Sequence, residues 1–278
     1  MPVQVRYLTD PACPWSWAAE PQVRRLMVEF GDSVSWSWVM VGLAREYPAE
    51  TRGVTLHWLG VADQVRMPID PLLWKEGAIK SSYPACMAVK AASEQASDGG
   101  YGYLRALREG LMCFRRKLDT TEALVEVARE AGLDVQRFRN DLGSHAIVEA
   151  FGVDLGESRA VPDEARAAGA VAESEGGERV SIPSAAFVAE DGTRRWALDA
   201  GDYDALRGAA IAAGAEPVDG ERPGVVDALR RFGRMAPVEV EQVCGLPEPR
   251  AAAELWRLAS EWQAKPLRVL SGYLFEAV

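Results

Sequence analysis

Two histidines, His57 and His145, and four cysteines, Cys13, Cys86, Cys113 and Cys244, lie far apart along 278 residues. Structural zinc sites draw their ligands in closely spaced pairs, so this scatter predicts neither a metal centre nor a resident cofactor. Four widely separated cysteines read as free thiols in a reducing compartment, not as a disulfide framework. No apolar run is long enough to cross a bilayer. The opening Met1-Pro2-Val3-Gln4-Val5-Arg6-Tyr7 has no apolar core behind a basic start, so no secretory signal is expected and a cytoplasmic location is predicted. Basic residues are in deficit, 31 against 41 acidic, for a formal charge of −10. That balance argues against general binding to nucleic acid or to anionic membranes, both of which attract cationic proteins.

What the chain does have is one lone cysteine in a telling place. Asp10-Pro11-Ala12-Cys13-Pro14-Trp15-Ser16-Trp17 follows an apolar run, Val3 to Leu8, that reads as a strand, and precedes an amphipathic stretch, Ala18 to Phe30, that reads as a helix. Pro14 suits a first helical position, where its missing N–H costs nothing. Cys13 then becomes the cap, with free backbone N–H groups and the positive end of the helix dipole aimed at its sulfur. A thiolate is favoured there, which predicts a pKa below the ~8.5 of a free thiol. The partner position of a Cys-x-x-Cys motif holds Ser16, so the turn reads as a redox site with one sulfur.

Apolar residues make up 48% of the chain, enough for one large domain or two ordinary ones. Val34, Trp36, Trp38 and Met40 alternate with smaller residues and predict a second strand, parallel to the first through a right-handed crossover. From about residue 60 to 177 the pattern turns helical, with five to seven short helices expected. Strand-like texture returns at Arg179–Val188, a turn follows at Glu190-Asp191-Gly192-Thr193, and Arg194–Leu198 completes a hairpin. Asp202 is placed to cap a closing helix, Tyr203–Ala213. The order β-α-β, helical block, β-β-α predicts an α/β thioredoxin fold, residues 1–59 and 178–215, with a helical insertion, residues 60–177. Pro183 sits awkwardly inside a central strand because it cannot donate to the ladder. A cis Ile182–Pro183 bond in a loop facing Cys13 removes the difficulty; the plainer alternative is an edge strand starting at Pro183.

A Gly/Pro-rich stretch, Gly214–Gly224, reads as a linker to a small unit, residues 225–278. Three helices and a strand pair turning at Ser271-Gly272 give it a winged-helix-like order. Such units often bind DNA, but the third helix sets Arg250 and Arg257 against Glu248, Glu254 and Glu261, whereas a groove-reading helix should be basic. A protein-interaction or structural role is expected instead.

Asp10-Pro11-x-Cys13-Pro14-x-x-Trp17-Ala18-x-Glu20-Pro21 resembles the DsbA-like thiol oxidoreductases of the FrnE type. The chain resembles still more closely the SpxH (YjbH) family of ClpXP adaptors. That likeness rests on Ser81-Ser82-Tyr83-Pro84-Ala85-Cys86-x-Ala88-Val89-Lys90-Ala91-Ala92, on Ala131-Gly132-Leu133-Asp134-Val135-x-Arg137-Phe138 and on Ala150-Phe151-x-x-Asp154-Leu155, together with the C-terminal Tyr273-Leu274-Phe275. The resemblance implies a thioredoxin-like domain with a helical insertion, and either thiol–disulfide chemistry or delivery of a client to a protease. A more distant likeness is to kappa-class glutathione transferases and hydroxychromene carboxylate isomerases, which place a serine where Cys13 stands.

The candidate catalytic residues are therefore Cys13, Ser16 and Pro183, with Pro14, Trp15 and Ile182 as substrate contacts. Ser16 has two readings: a hydroxyl that lowers the thiol's pKa, or a small helical residue left where a resolving cysteine was lost. Without a second sulfur nearby, a mixed disulfide at Cys13 must be released by another thiol. Cys86 is the internal candidate for that second thiol, its alternative being a small buried apolar residue. Cys113, Cys244 and Trp17 read as core. The expected partners are protein or small-molecule thiols, with a low-molecular-weight thiol as co-substrate, or else a protease and its client.

Overall fold

Strand β1 (Val3–Thr9) buries Val5, Tyr7, Leu8 and Thr9 on both of its faces, as a central strand must. The computed structural model, which describes residues 1–218 and 220–278, places it between two neighbours in a four-stranded sheet. Helix α1 (Pro14–Ala18) follows the cysteine turn. The stretch expected as one helix continues separately as α2 (Glu20–Phe30), because Pro21 falls in the first turn of the second piece. Strand β2 (Val34–Met40) then pairs parallel to β1, from Val3↔Val34 to Thr9↔Met40.

Eight helices follow among the described residues, beginning at Arg52, ahead of the residue 60 expected from composition: α3 (Arg52–Gln64), α4 (Leu73–Glu76), α5 (Tyr83–Ser93), α6 (Tyr101–Cys113), α7 (Thr121–Glu130), α8 (Val135–Leu142), α9 (His145–Arg159) and α10 (Asp163–Ala167). Three start on side-chain caps. Thr120, Asp134 and Ser144 accept from the backbone N–H groups of Ala123, Arg137 and Ile147.

A small antiparallel hairpin, β3 (Val171–Ser174) and β4 (Gly177–Val180), corrects two expectations. Residues 171–174 are not helical, and Arg179 and Val180 belong to this hairpin instead of opening the next central strand. That strand, β5 (Ser184–Val188), starts after the proline and runs antiparallel to β1; β6 (Arg194–Ala197) extends it, giving the order β2-β1-β5-β6. The Ile182–Pro183 bond is cis. Helix α11 (Tyr203–Ala212) is capped by Asp202, whose carboxylate accepts from Asp204 and Ala205 N–H. This is the thioredoxin arrangement with a helical insertion after β2.

The Gly214–Gly224 segment, apart from position 219, which lies outside the described residues, runs past the end of α2. There the Val218 N–H donates to the Glu29 carbonyl at 2.8 Å. Beyond it come α12 (Val225–Phe232), α13 (Pro237–Cys244), α14 (Glu248–Ser260) and the hairpin β7 (Ala264–Val269) and β8 (Gly272–Ala277). These elements have a core of their own around Leu229, Val240, Leu255 and Phe275, yet Ala236, Val269 and Leu274 belong to the main core. Helix α13 lies along α2. No described helix is long and apolar enough to cross a membrane.

Gly42, just past β2, has φ +60°, and a Cβ there would stand 2.7 Å from Tyr83 Cε1 and 3.0 Å from Leu155 Cδ2. Gly42→Ala therefore combines left-handed backbone strain with overpacking, and is expected to cost about 2–4 kcal/mol in urea unfolding. A loss below about 1 kcal/mol would mean that the Tyr83–Leu155 wall yields freely.

Candidate active site

Cys13 caps α1 with φ −84° and ψ 115°, and its Sγ accepts the Ser16 N–H at 3.4 Å. Its own N–H donates to the Asp10 carbonyl at 3.2 Å. Pro14 occupies the first helical turn. Because Leu8 pairs with Ser184, the cis Ile182–Pro183 loop comes to the same end of the sheet as the Asp10–Cys13 turn. Trp15, Ile182 and Pro183 share a cavity of about 520 Å³ with Gln22, Met67 and Val238. Cys13 does not line it and is only 4% exposed. Among the described residues, the Ile182 backbone makes no hydrogen bond to the protein, so its N–H and C=O are left open beside that cavity.

Burial pushes the Cys13 thiol above its ordinary pKa, with the Asp10 charge adding to the rise; the Ser16 hydroxyl and the amides of Ser16 and Trp15 pull the other way. The expectation of a lowered pKa is thus corrected. The cap contributes as anticipated, but the residue is buried, and desolvation of a thiolate outweighs the hydrogen bonds offered to it. The Ser16 side chain is fully buried, and no partner stands in bonding direction of its Oγ, although the hydroxyl is close enough to the sulfur to favour the thiolate.

Cys86 on α5 is fully buried and donates its S–H to Asp10 Oδ2 at 3.2 Å. That acidic neighbour and burial hold it as a neutral thiol, well above the ordinary range. It is a core residue whose thiol is tied to a carboxylate. The same Asp10 carboxylate accepts from Ala12 N–H (2.8 Å), Leu43 N–H (2.6 Å) and the Ser82 hydroxyl (2.9 Å). It thereby ties the cysteine turn to the loop after β2 and to the start of α5. Cys113 is buried and donates to the Pro68 carbonyl, and Cys244 is half-buried with its pKa pushed up to about 11. Trp17 is core, its Nε1 donating to Pro68 O at 2.9 Å, whereas Trp15 is half-buried against His57.

Two groups at the site escaped the sequence reading. Tyr47, in the loop after β2, keeps a buried hydroxyl without a partner among the described residues and feels Asp10, Cys13 and Cys86. Arg179 on β4 is 6% exposed, and burial lowers its pKa against the opposing effect of Cys13 and Asp10. An arginine at the end of the polar run Glu173–Glu178 reads as surface; the only hint was the apolar stretch that follows it.

A family model described as Thioredoxin matches residues 7–160, more than half of the chain. The chain belongs to this thioredoxin family. Within the family, it is 32% identical over 163 residues to the ClpXP adapter protein SpxH of Halalkalibacterium halodurans, covering 55% of this chain and 53% of that protein. It is 26% identical over 158 residues to the protein of the same name from Bacillus subtilis, covering 55% and 53%. The chain thus spans about half the length of the curated relatives it matches. The fold is shared with the cytosolic disulfide reductase DsbM of Pseudomonas aeruginosa, at a TM-score of 0.58 and 19% identity over 75% of this chain and 98% of DsbM. A structure of DsbM with GSH gives a TM-score of 0.56 at the same identity, over 75% of this chain and 99% of that one.

Proposed function

We propose that this thioredoxin-family protein is a cytoplasmic thiol–disulfide oxidoreductase working through one sulfur, Cys13. The observation that carries the reading is the Cys13 sulfur at the α1 cap, at the sheet end where the cis Ile182–Pro183 loop lines a cavity of mixed polar and apolar character. In the first step the Cys13 thiolate attacks a disulfide; one S–S bond breaks, one forms, and the leaving sulfur departs as a thiolate. In the second, an external thiolate attacks the mixed disulfide, returning Cys13 and forming a new disulfide in solution. Ser16 cannot resolve the intermediate, and Cys86 is engaged with Asp10. The open Ile182 backbone suits an extended substrate chain. With its pKa raised, Cys13 reacts in proportion to the small thiolate fraction present at neutral pH, so exchange is slow there and accelerates with pH.

Incubation with glutathione disulfide, followed by peptide mass spectrometry, tests this. One glutathionyl adduct is expected on Cys13, formed faster at higher pH, reversed by excess reduced glutathione and absent in Cys13→Ser. Absence of an adduct on Cys13, or equal labelling of the half-buried Cys244, would refute the reading.

A second reading, that of an adaptor presenting a client to a protease, is favoured by the likeness to the two SpxH proteins. Residues 225–278 would then serve as a winged-helix-like unit offering a protein-binding surface. Here Cys13→Ala leaves co-purification of protease and client from the native host unchanged, whereas the redox reading has that substitution abolish adduct formation.

A further inference from the structure

We propose that helix α13 of the C-terminal unit makes the Cys13 site select against acidic substrates, because Glu241 cancels the one cation that lines the substrate cavity among the described residues. The inference rests on Cys13 being the reacting sulfur. Cys13 does not line the cavity of about 520 Å³, but Trp15, two positions further on, and the cis Ile182–Pro183 loop do. The cavity therefore receives what flanks the reacting sulfur of a substrate laid along the open Ile182 backbone.

Two charged side chains line this cavity among the described residues, Arg66 and Asp199. Arg66, just after α3, donates from Nη1 and Nη2 to Glu241 Oε1 and Oε2 at 2.7 and 2.6 Å, and the exposed Glu248 lies 3.4 Å from Nη1. The Glu241 side chain is 6% exposed and that of Arg66 49%. A two-pronged pair of this kind fixes the guanidinium and neutralises it. Asp199 is exposed and accepts the Gly201 N–H at 2.8 Å, with no cation within 4.0 Å among the described residues. The charge left over at the cavity is thus a carboxylate's. Helix α13 is fixed independently of Arg66, through the buried Glu239, 2.9 Å from Arg24 and 2.8 Å from Arg105. Val238, which walls the cavity, stands three residues before Glu241, on the same side of the helix. One helix therefore closes the cavity and cancels its cation. Glutathione disulfide brings its carboxylates toward Asp199 with no free cation to receive them, whereas an uncharged polypeptide disulfide meets no such repulsion. In both exchanges Cys13 forms the new S–S bond as the old one breaks and the second substrate sulfur leaves as a thiolate.

The test compares two reagents, glutathione disulfide and the disulfide dimer of an uncharged, end-capped cysteine peptide, each scored by mass spectrometry as the rate of adduct formation on Cys13. Both rates are divided by that of alkylation with neutral iodoacetamide, which removes any change in the sulfur itself. The parent protein is expected to favour the uncharged dimer. Glu241→Gln leaves Arg66 only the exposed Glu248, and should raise the glutathione disulfide rate relative to that of the uncharged dimer by roughly threefold to tenfold at low salt. The gain should fade as salt screens the charge. Arg66→Gln removes the cation and leaves Glu241 unmatched, so it should move the ratio the other way. Both substitutions break the same ion pair, and a purely structural role would therefore move the ratio in one direction. Shifts of the same sign, an unmoved ratio, or a parent that favours glutathione disulfide would each overturn the proposal. If Cys13 takes up neither disulfide, the redox reading fails and this inference with it. If both adducts form at equal rates, the inference fails alone.

Discussion

Glu20→Gln is expected to destabilise the protein by about 3–5 kcal/mol, the range for removing one partner of a buried ion pair. Glu20, at the start of α2, is fully buried and faces three arginines: Arg24 (3.7 Å), Arg105 (3.3 Å) and Arg108, whose Nη1 also donates to it. The Tyr101 hydroxyl donates to its Oε2 at 2.7 Å. Arg24 and Arg105 continue to Glu239 on α13, at 2.9 and 2.8 Å, and Arg105 to Glu109 at 2.8 Å. Arg24, Arg105 and Arg108 thus share Glu20, Glu109 and Glu239, drawn from α2, α6 and α13, and Arg234 joins the network through Glu109 (3.3 Å) and Glu276 (2.9 Å). Neutralising Glu20 leaves one cation unmatched where water cannot reach it. The arginines also hold the carboxyl of Glu20 down to about 2 against the opposing effect of burial. A carboxyl whose folded pKa is depressed adds stability that is complete above its unfolded value, near 4.5, and is lost as pH falls toward 2. For this group the loss amounts to about 3 kcal/mol. Urea unfolding at neutral pH and at pH values within that window measures both effects, and Glu20→Gln should flatten the acid limb of the curve. A variant within about 1 kcal/mol of the parent, with an unchanged acid limb, would show that Glu20 does not hold this junction together.

None of this network was legible in the chain. Arg105, Arg108 and Glu109 on α6 look like one charged helical face, and a charged face reads as solvated. They are buried because α13 and the segment before it, more than 120 residues downstream, cover them; the carbonyls of Phe232 and Arg234 accept from Arg24 and Arg105. The features that could be read were local. Pro14 marks a first turn, alternating Val34, Trp36, Trp38 and Met40 mark a strand, and a proline in a run that pairs with β1 calls for a break. The hairpin β3–β4 was missed for a related reason. Four residues such as Val171-Ala172-Glu173-Ser174 carry too little apolar periodicity to stand out, and all are at least partly exposed.

The site divides along the same line. Cys13, Pro14, Ser16, Ile182 and Pro183 announce themselves through backbone geometry, which a short stretch of sequence encodes. The protonation of Cys13 does not, because it depends on how deeply the rest of the chain buries the sulfur. The helix cap pulled the expected pKa down, while Tyr47 and the hydrogen bonds of the Asp10 carboxylate were invisible, and Cys86 stood out only as a possible second thiol. Asp10 meets Leu43 and Cys86 across 33 and 76 positions. Cys86 shows the point most directly, as its partner is an oxygen and not the other sulfur.

Asp10→Asn should make the protein less stable and its cysteine more reactive. The carboxylate takes four donors on two oxygens. An amide presents one oxygen and one NH2 group. In one orientation the NH2 faces the Ala12 N–H; in the other it faces Leu43 N–H, the Ser82 hydroxyl and the Cys86 thiol. At least one buried donor loses its acceptor, which costs about 1–3 kcal/mol. The same substitution removes a negative charge that raises the Cys13 thiol, so the thiol's pKa should fall. If the fall is about one unit, alkylation of Cys13 at neutral pH accelerates roughly tenfold. Urea unfolding and iodoacetamide kinetics on one preparation measure the two effects together. Slower alkylation, or an unmoved titration in a folded Asp10→Asn protein, would mean that Asp10 governs the turn by geometry alone. Opposite signs in stability and reactivity would show that the buried carboxylate holds the turn together and keeps its sulfur protonated in the resting protein.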